Sequence, residues 1–512
     1  MKSMKVKTFL ITLPLALAAL VGCTPNQVVS SNNEGNTSKE AENSGEPTSQ
    51  KPIQGKVTIK FWHTFGQTVV DALKSKIESF KKLVKDNDGV DVDVDLKYQG
   101  GYDDIAKQIY DGYSVMNSPT IAVAYPDNVS DYIEVGKSAG NDFVVNLDKF
   151  ISSKEVGFGK EKWLGDEKDE DDFVEEFFEE GSAYTQPGTY SLPFLKSTEI
   201  MFYNLDLLIE VMKGFKPELN NSETQIKNYM SSISWDDFIS LCTYVNQHKS
   251  EISNMLEVPM WYDSDANYII TKMFQNNVPY SSIDANGKGK IDFAQGTAAY
   301  NSVIDLLDEA RVNYANGLFT TKGIKNTYGS DFFTNEKCLF SIGSSGGSGY
   351  NFPQADAFQL GVCRVPADND NPLYVSQGPT LTMFNDRGLS QEQNDIIQLY
   401  AWKFMKYITN GRVNAELCVN GSEGYVPVRY SAYETRFFQE FMEEGERYAM
   451  CYKVVVNDVN RNGGYLVSKA FKGSATLRDE CGSMLTASLN ASSKNDLSTI
   501  LDRAINNAKL KM

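Results

Sequence analysis

Alternation of apolar and polar residues sets in at Lys56. Val57, Ile59 and Phe61 occupy every second position and run into Trp62-His63, the pattern of a strand with one face buried. Over residues 69–84 the apolar positions recur at helical spacing, and at Val92, Val94 and Leu96 the two-residue period returns. A second helical stretch over residues 102–113 and an extended run over 120–124 follow. Strand, helix, strand, helix, strand predicts the start of an α/β sheet whose helices cover its faces.

Farther along, Gly188 and Pro193 punctuate a short extended run, and an apolar strand resumes at Ile200. Asn204 and Asp206 are placed to end that strand by starting a turn or helix, so residues 188–208 are suited to carrying the chain from one domain into another. Ser234, followed three residues later by Asp237, reads as the N-cap of a helix carrying Phe238, Leu241 and Val245. Ser390 with Gln393 forms a capping box before a helical run over 396–408, and Asn410-Gly411 supplies the expected stop. Asp284-Ala285-Asn286-Gly287 predicts a hairpin turn, since Asn-Gly tolerates positive φ.

The first 55 residues follow a different pattern. Lys2, Lys5 and Lys7 precede an apolar run from Phe9 to Leu20, with the charge and length of a bacterial export signal. That run is too short to span a bilayer as a permanent helix. Leu20-Val21-Gly22-Cys23 resembles the lipobox of bacterial lipoproteins, which implies that Cys23 is acylated and becomes the first mature residue. From Thr24 to Gly55 the chain is Ser, Asn, Glu, Thr, Gly and Pro with almost no large apolar side chain. Such a segment buries too little surface to offset the entropy of ordering, and reads as a flexible tether.

Composition narrows the function classes. The formal net charge is -18, near -21 once the three signal lysines are removed, which disfavours nucleic acid or an anionic lipid surface as partner. Two histidines leave little material for histidine-based acid–base or metal chemistry. The seven cysteines, at 23, 242, 338, 363, 418, 451 and 481, contain no C-x-x-C pair, so neither a zinc nor a redox motif is indicated. The six beyond Cys23 are an even number that permits disulfides in an exported protein, although a chain of this length does not need them. Over residues 165–180 Asp and Glu are crowded around Phe173, Val174, Phe177 and Phe178, which predicts an acidic, solvated helix face. Asp263-Ser264-Asp265-Ala266-Asn267 begins like a calcium loop, but Tyr268 and Phe274 stand where Gly and Glu are required. Ser344-Ser345-Gly346-Gly347-Ser348 offers hydroxyls and open backbone N–H groups able to cradle a hydroxylated or anionic ligand, without the lysine and spacing of a P-loop.

Several of these segments carry a resemblance. The stretch GTYSLPFLKSTEIMFYNLDLL at 188–208 resembles the signature of family 1 extracellular solute-binding proteins, the ligand-capturing subunits of ABC importers. FFTNEKCLFSIGSSGGSGY at 332–350 is similar to another family segment, with Asn335-Glu336 in place of a usual Gly. YVSQGPTLTMF at 374–384 resembles the family's return crossing, and Gly424-Tyr425-Val426-Pro427-Val428 resembles an element of its sn-glycerol-3-phosphate-binding members.

The resemblance implies a two-lobed α/β fold of the periplasmic-binding-protein type II class, with three hinge crossings and a ligand cleft between the lobes. It implies a division into a signal at 1–22, a lipidated tether at 23–55, a first lobe at 56–193 and 376–424, and a second lobe at 194–375 and 425–512. The implied site is Tyr102 in Gly100-Gly101-Tyr102, the hinge Ser197, the loop Ser345, Gly378 whose backbone approaches the ligand, Tyr425, and Arg478 as a phosphate-facing cation. Tyr125 is followed by Pro126 before Asp127, where the subgroup has an acid directly after the tyrosine, and this leaves a sugar ligand open. Trp62 and Trp261 are the alternative cleft aromatics, against a plain core role for each. The implied function is non-enzymatic capture of a carbohydrate, glycerol phosphate or glycerophosphodiester by hinge closure, without cofactor or metal. A monomeric protein, lipid-anchored outside the membrane, would hand its ligand to a permease. A secreted glycoside hydrolase, with two carboxylates across a cleft, and a surface adhesin or sensor are the rival classes.

Overall fold

The computed structural model describes residues 56–512 apart from 166–167, 220, 356, 369–370, 446 and 462. The export signal, Cys23 and the tether lie outside the described residues.

The strands, in chain order, are β1 Val57–His63, β2 Val92–Tyr98, β3 Ile121–Ala124, β4 Ser191–Pro193, β5 Glu199–Asn204, β6 Val258–Tyr262 and β7 Ser281–Ile283. They continue as β8 Gly289–Ile291, β9 Phe319–Thr321, β10 Cys338–Ser344, β11 Leu360–Arg364, β12 Leu373–Tyr374, β13 Thr380–Met383 and β14 Gly464–Tyr465. Two five-stranded sheets result, ordered β2-β1-β3-β13-β4 and β11-β5-β10-β6-β9. The expected opening is present: β1 pairs in parallel with β2 and β3, and the helices Gln67–Asp88 and Tyr102–Ser114 connect them. Val57, Ile59 and Phe61 are buried, as their alternation requires, and Val69, Leu73, Ile77, Phe80 and Val84 form the inward stripe of the first helix.

The stretch around 188–208 leaves the first sheet as β4 and enters the second as β5. Asn204 ends β5 by capping the helix Leu205–Phe215, its side chain accepting from the Leu207 N–H at 3.1 Å. Ser234 caps Trp235–Gln247 through the Asp237 N–H, and Ser390 and Gln393 close a capping box on Gln391–Thr409. The helix Gln391–Thr409 stops at Asn410 as expected, but by a different geometry. The φ of Asn410 is -66°, so it is no left-handed stop, and its side chain instead accepts from the Val413 N–H at 2.8 Å to start the helix Gly411–Gly421. β7 and β8 form the predicted hairpin, in which only Gly287 takes positive φ, 74°, after a turn closed by Gly287 N–H on the Asp284 carbonyl. Glu336 adopts φ 59° in the segment where the family pattern carries Gly.

The acidic stretch is not a solvated helix face. Phe173 and Val174 are extended and buried, the helix spans only Glu175–Glu179, and two acids turn inward. Asp172 accepts from the Ser431 N–H and hydroxyl and lies 3.6 Å from Arg429, while Glu180 is paired with Lys196. Trp62 and Trp261 are 7% and 0% exposed, which places both in the core. The six described cysteines are free thiols and all buried.

After Val428 the chain remains with the first sheet's helices. Arg429 donates to the carbonyls of Thr409 and Asp169, and Tyr430–Tyr433 and Arg436–Glu443 pack on Gly411–Gly421. The helix Arg447–Lys453 packs on β11. The helices Ser474–Leu489 and Leu497–Lys509 then pack on one another, and the former also packs on Asp265–Gln275.

Candidate functional site

Three segments lie side by side where the chain passes between the sheets. Ser197 and Gln377 exchange backbone hydrogen bonds of 3.0 and 2.8 Å, and Lys196 and Val426 exchange bonds of 3.4 and 2.8 Å. Gly378 is placed by this contact: its φ is 85°, and a Cβ there would stand 2.2 Å from the Leu195 carbonyl. The Lys196 ammonium ties its own segment to Gly378 and to Glu180 from within. It donates to Glu180 at 2.6 Å and to the Gly378 carbonyl at 3.3 Å, and lies 5.4 Å from the Phe177 ring centre. Ser197 is 2% exposed and belongs to this joint.

In front of the joint stands a tyrosine cluster. Tyr102 opens its helix and Tyr125 follows β3, with ring centres 4.5 Å apart. The Tyr102 hydroxyl is buried without a well-formed hydrogen bond; burial first, then Tyr125 and Tyr425, holds it well above the usual phenol range. Burial likewise raises Tyr125, against the opposing pull of Arg478 and the Gly378 backbone. Tyr425 covers Gly346, where a Cβ would come 2.9 Å from its ring, so the glycine-serine loop and the tyrosine fit by the absence of a side chain. Tyr125, Asp127, Glu180, Lys196, Ser376 and Arg478 border a cavity of about 50 Å³. Tyr102, Tyr425 and Arg478 are thus brought near one another through Tyr125.

Ser345 is placed differently. It is fully buried, its N–H donates to the Thr198 carbonyl at 2.7 Å, and its hydroxyl accepts from the Thr198 N–H at 3.4 Å. Its neighbour Ser344 lines a larger cavity of about 700 Å³, with its hydroxyl 3.3 Å from that of Ser197. Glu199, Asp263, Lys322, Tyr350 and Gln377 also line this cavity. Arg478 is half-buried, and one guanidinium nitrogen donates to Asn267 at 2.5 Å, which ties it to the cavity wall.

Of the acids of this wall, sequence reasoning named only Asp263, and that as part of a rejected calcium loop. Glu199 sits inside the hinge motif, one residue after Thr198, and its backbone pairs in register with Ser344. Its carboxylate accepts from the Tyr262 hydroxyl at 2.5 Å and from Asn267 at 3.0 Å. Burial nevertheless pushes it up to about 7, despite these donors and Arg478, and Asp263 adds to the rise. Asp263 accepts from the Gly329 N–H at 2.6 Å, and burial lifts it to about 6. Asp265, its neighbour in the calcium-like run, accepts instead from Thr321, Gly323 and Thr486. The acids of the calcium-like run thus tie the end of β6 and the following helix to Thr321, Gly323, Gly329 and Thr486. His63 is buried with its Nδ1 accepting from the Phe65 N–H, and burial lowers it to about 4, so it is neutral at pH 7.

The profile of the bacterial extracellular solute-binding proteins matches residues 77–443. No curated protein sequence matches the chain. Among solved structures, the cyclic alpha-maltosyl-1,6-maltose binding protein from Arthrobacter globiformis is similar with a TM-score of 0.62, at 14% identity, over 89% of this chain and 99% of that one. UgpB from Mycobacterium tuberculosis, in complex with glycerophosphocholine, is similar with a TM-score of 0.59, at 16% identity, over 88% and 100% of the two chains. Lmo0181 from Listeria monocytogenes, an ABC substrate-binding protein in complex with cycloalternan, gives 0.61, at 12% identity, over 89% and 99%. At these identities the likeness is one of fold.

Proposed function

Because this chain belongs to the bacterial extracellular solute-binding proteins, we propose that it is the capture subunit of an ABC importer for a carbohydrate-type solute. The observation that carries this reading is the hydrogen-bonded three-segment joint with a cavity of about 700 Å³, lined by Glu199, Asp263, Lys322 and Tyr350 among others, opening beside it. A ligand touching both halves binds the closed form better than the open one and shifts the population toward closure. The closed form is then what the permease recognises. A lipid on Cys23 and the tether behind it would hold the protein at the outer face of the membrane, acting as a monomer. The family and the fold both suit binding without covalent chemistry. Glu199 and Asp263 in one cavity are also what a glycoside hydrolase would use; release of sugar from oligosaccharides by the purified protein would favour that rival.

A thermal-shift panel of glycerol 3-phosphate, glycerophosphodiesters and oligosaccharides tests the reading. A true ligand at a hundred times its Kd stabilises the protein by about 2.7 kcal/mol. A phosphorylated ligand is the second reading, favoured by the Arg478 guanidinium beside Tyr125. A guanidinium gives a phosphate two parallel charge-assisted bonds, so Arg478→Ala should weaken such a ligand by at least about tenfold. Equal affinity for a glycerol phosphate in calorimetry of wild type and variant would remove Arg478 as its anchor.

A further inference from the structure

The wall of the larger cavity carries three carboxyl groups, Glu199, Asp263 and Asp331, against one lining cation, Lys322. Lys322 is itself occupied, with its ammonium 3.9 Å from the centre of the Tyr328 ring and 2.7 Å from that ring's hydroxyl. A further cation near Glu199, Arg478, is bound to Asn267. Tyr328 and Tyr350 line the same cavity and are 54% and 80% exposed, the latter unusually so for a large ring. Lys322 already covers the Tyr328 ring, and the exposed Tyr350 ring beside the carboxylates offers the surroundings that a further cation seeks, since the ring face is negative and the carboxylates supply charge-assisted acceptors. Resting on the capture function above, we propose that the cavity takes a hydroxylated ligand bearing a protonated amine, an amino sugar, in preference to a neutral sugar or a phosphate ester.

Two further facts agree. Among the described residues no lysine or arginine forms a salt bridge with Glu199, Asp263 or Asp331, and the formal charge of -18 draws cations toward the molecule as a whole. Glu199 faces Tyr262, Asn267, Arg478 and Asp263; Asp263 faces the Gly329 N–H, Lys322 and Asp331. With those surroundings the two carboxyls titrate at about 7 and about 6. Near neutral pH they are partly protonated, and an arriving ammonium, by favouring their charged form, expels protons. An anionic ligand would do the reverse, drawing protons in.

Calorimetry at pH 6.5, in buffers of differing ionisation heat, decides the point. The probes are the β-1,4-linked glucosamine disaccharide, its N,N′-diacetyl form, maltose and glycerol 3-phosphate. The free-amine disaccharide should bind at least about tenfold tighter than its acetylated form and release protons on binding. Asp331 is exposed, so Asp331→Asn keeps the fold; it should reduce that advantage, and Glu199→Gln should reduce both the advantage and the proton release. Equal or tighter binding of the acetylated form or maltose, or proton uptake with glycerol 3-phosphate as the best ligand, overturns the inference while leaving solute capture standing. Binding of no sugar or phosphate probe overturns the capture function and this inference together.

Discussion

Lys196→Met is expected to destabilise the protein by about 3–5 kcal/mol, because it leaves the buried Glu180 carboxylate without its cation. The lysine also loses its bond to the Gly378 carbonyl, so the crossings lose an internal tie. Urea unfolding at pH 7 measures the effect. Adding Glu180→Leu should restore much of the loss, since removal of both members of a buried pair costs far less than removal of one. A single variant within about 1 kcal/mol of wild type would show that the pair is ordinary surface electrostatics.

Gly378→Ala is the second large effect, about 3 kcal/mol or more. The backbone strain of a side chain at φ 85° accounts for 1–3 kcal/mol of it, of the order found for such conformations. The remainder comes from a Cβ forced to 2.2 Å from the Leu195 carbonyl, a backbone atom that cannot swing away. Gly287→Ala is the control: its φ is 74°, but nothing lies within 4 Å of the added carbon, so only the strain should appear. Equal losses in the two variants would mean that the crossings part freely, and that the close approach at Gly378 is not what its glycine serves.

Periodicity made the first sheet legible. β1, β2 and their helices bury one face each, so Val57 to Leu96 display their periods openly. Caps were legible for a similar reason, since Ser234, Asn204 and Ser390 act within three residues of themselves. At Asn410 the stop was legible and the new start was not, because ending one helix and capping the next use the same residue type. The acidic stretch failed because burial of Asp172 and Glu180 depends on Ser431, Arg429 and Lys196, which are distant in sequence. The family resemblance pointed to Ser345, whereas its neighbour Ser344 is the serine that lines the larger cavity. Ser345 and Ser344 are chemically identical in the sequence, and only the Thr198 backbone decides which one turns inward. Glu199 escaped notice because a carboxylate at the start of an apolar strand, between Thr198 and Ile200, gives no local sign of facing a cavity.

The central claim is that ligand draws the two halves together about the joint of Lys196, Gln377 and Val426. Small-angle scattering tests it most directly, on the purified protein with and without a saturating amount of whichever probe gives the largest thermal shift. The radius of gyration should be smaller in the bound form, and Gly378→Ala should blunt the change. An unchanged radius at saturation, confirmed by calorimetry on the same sample, would contradict hinge closure.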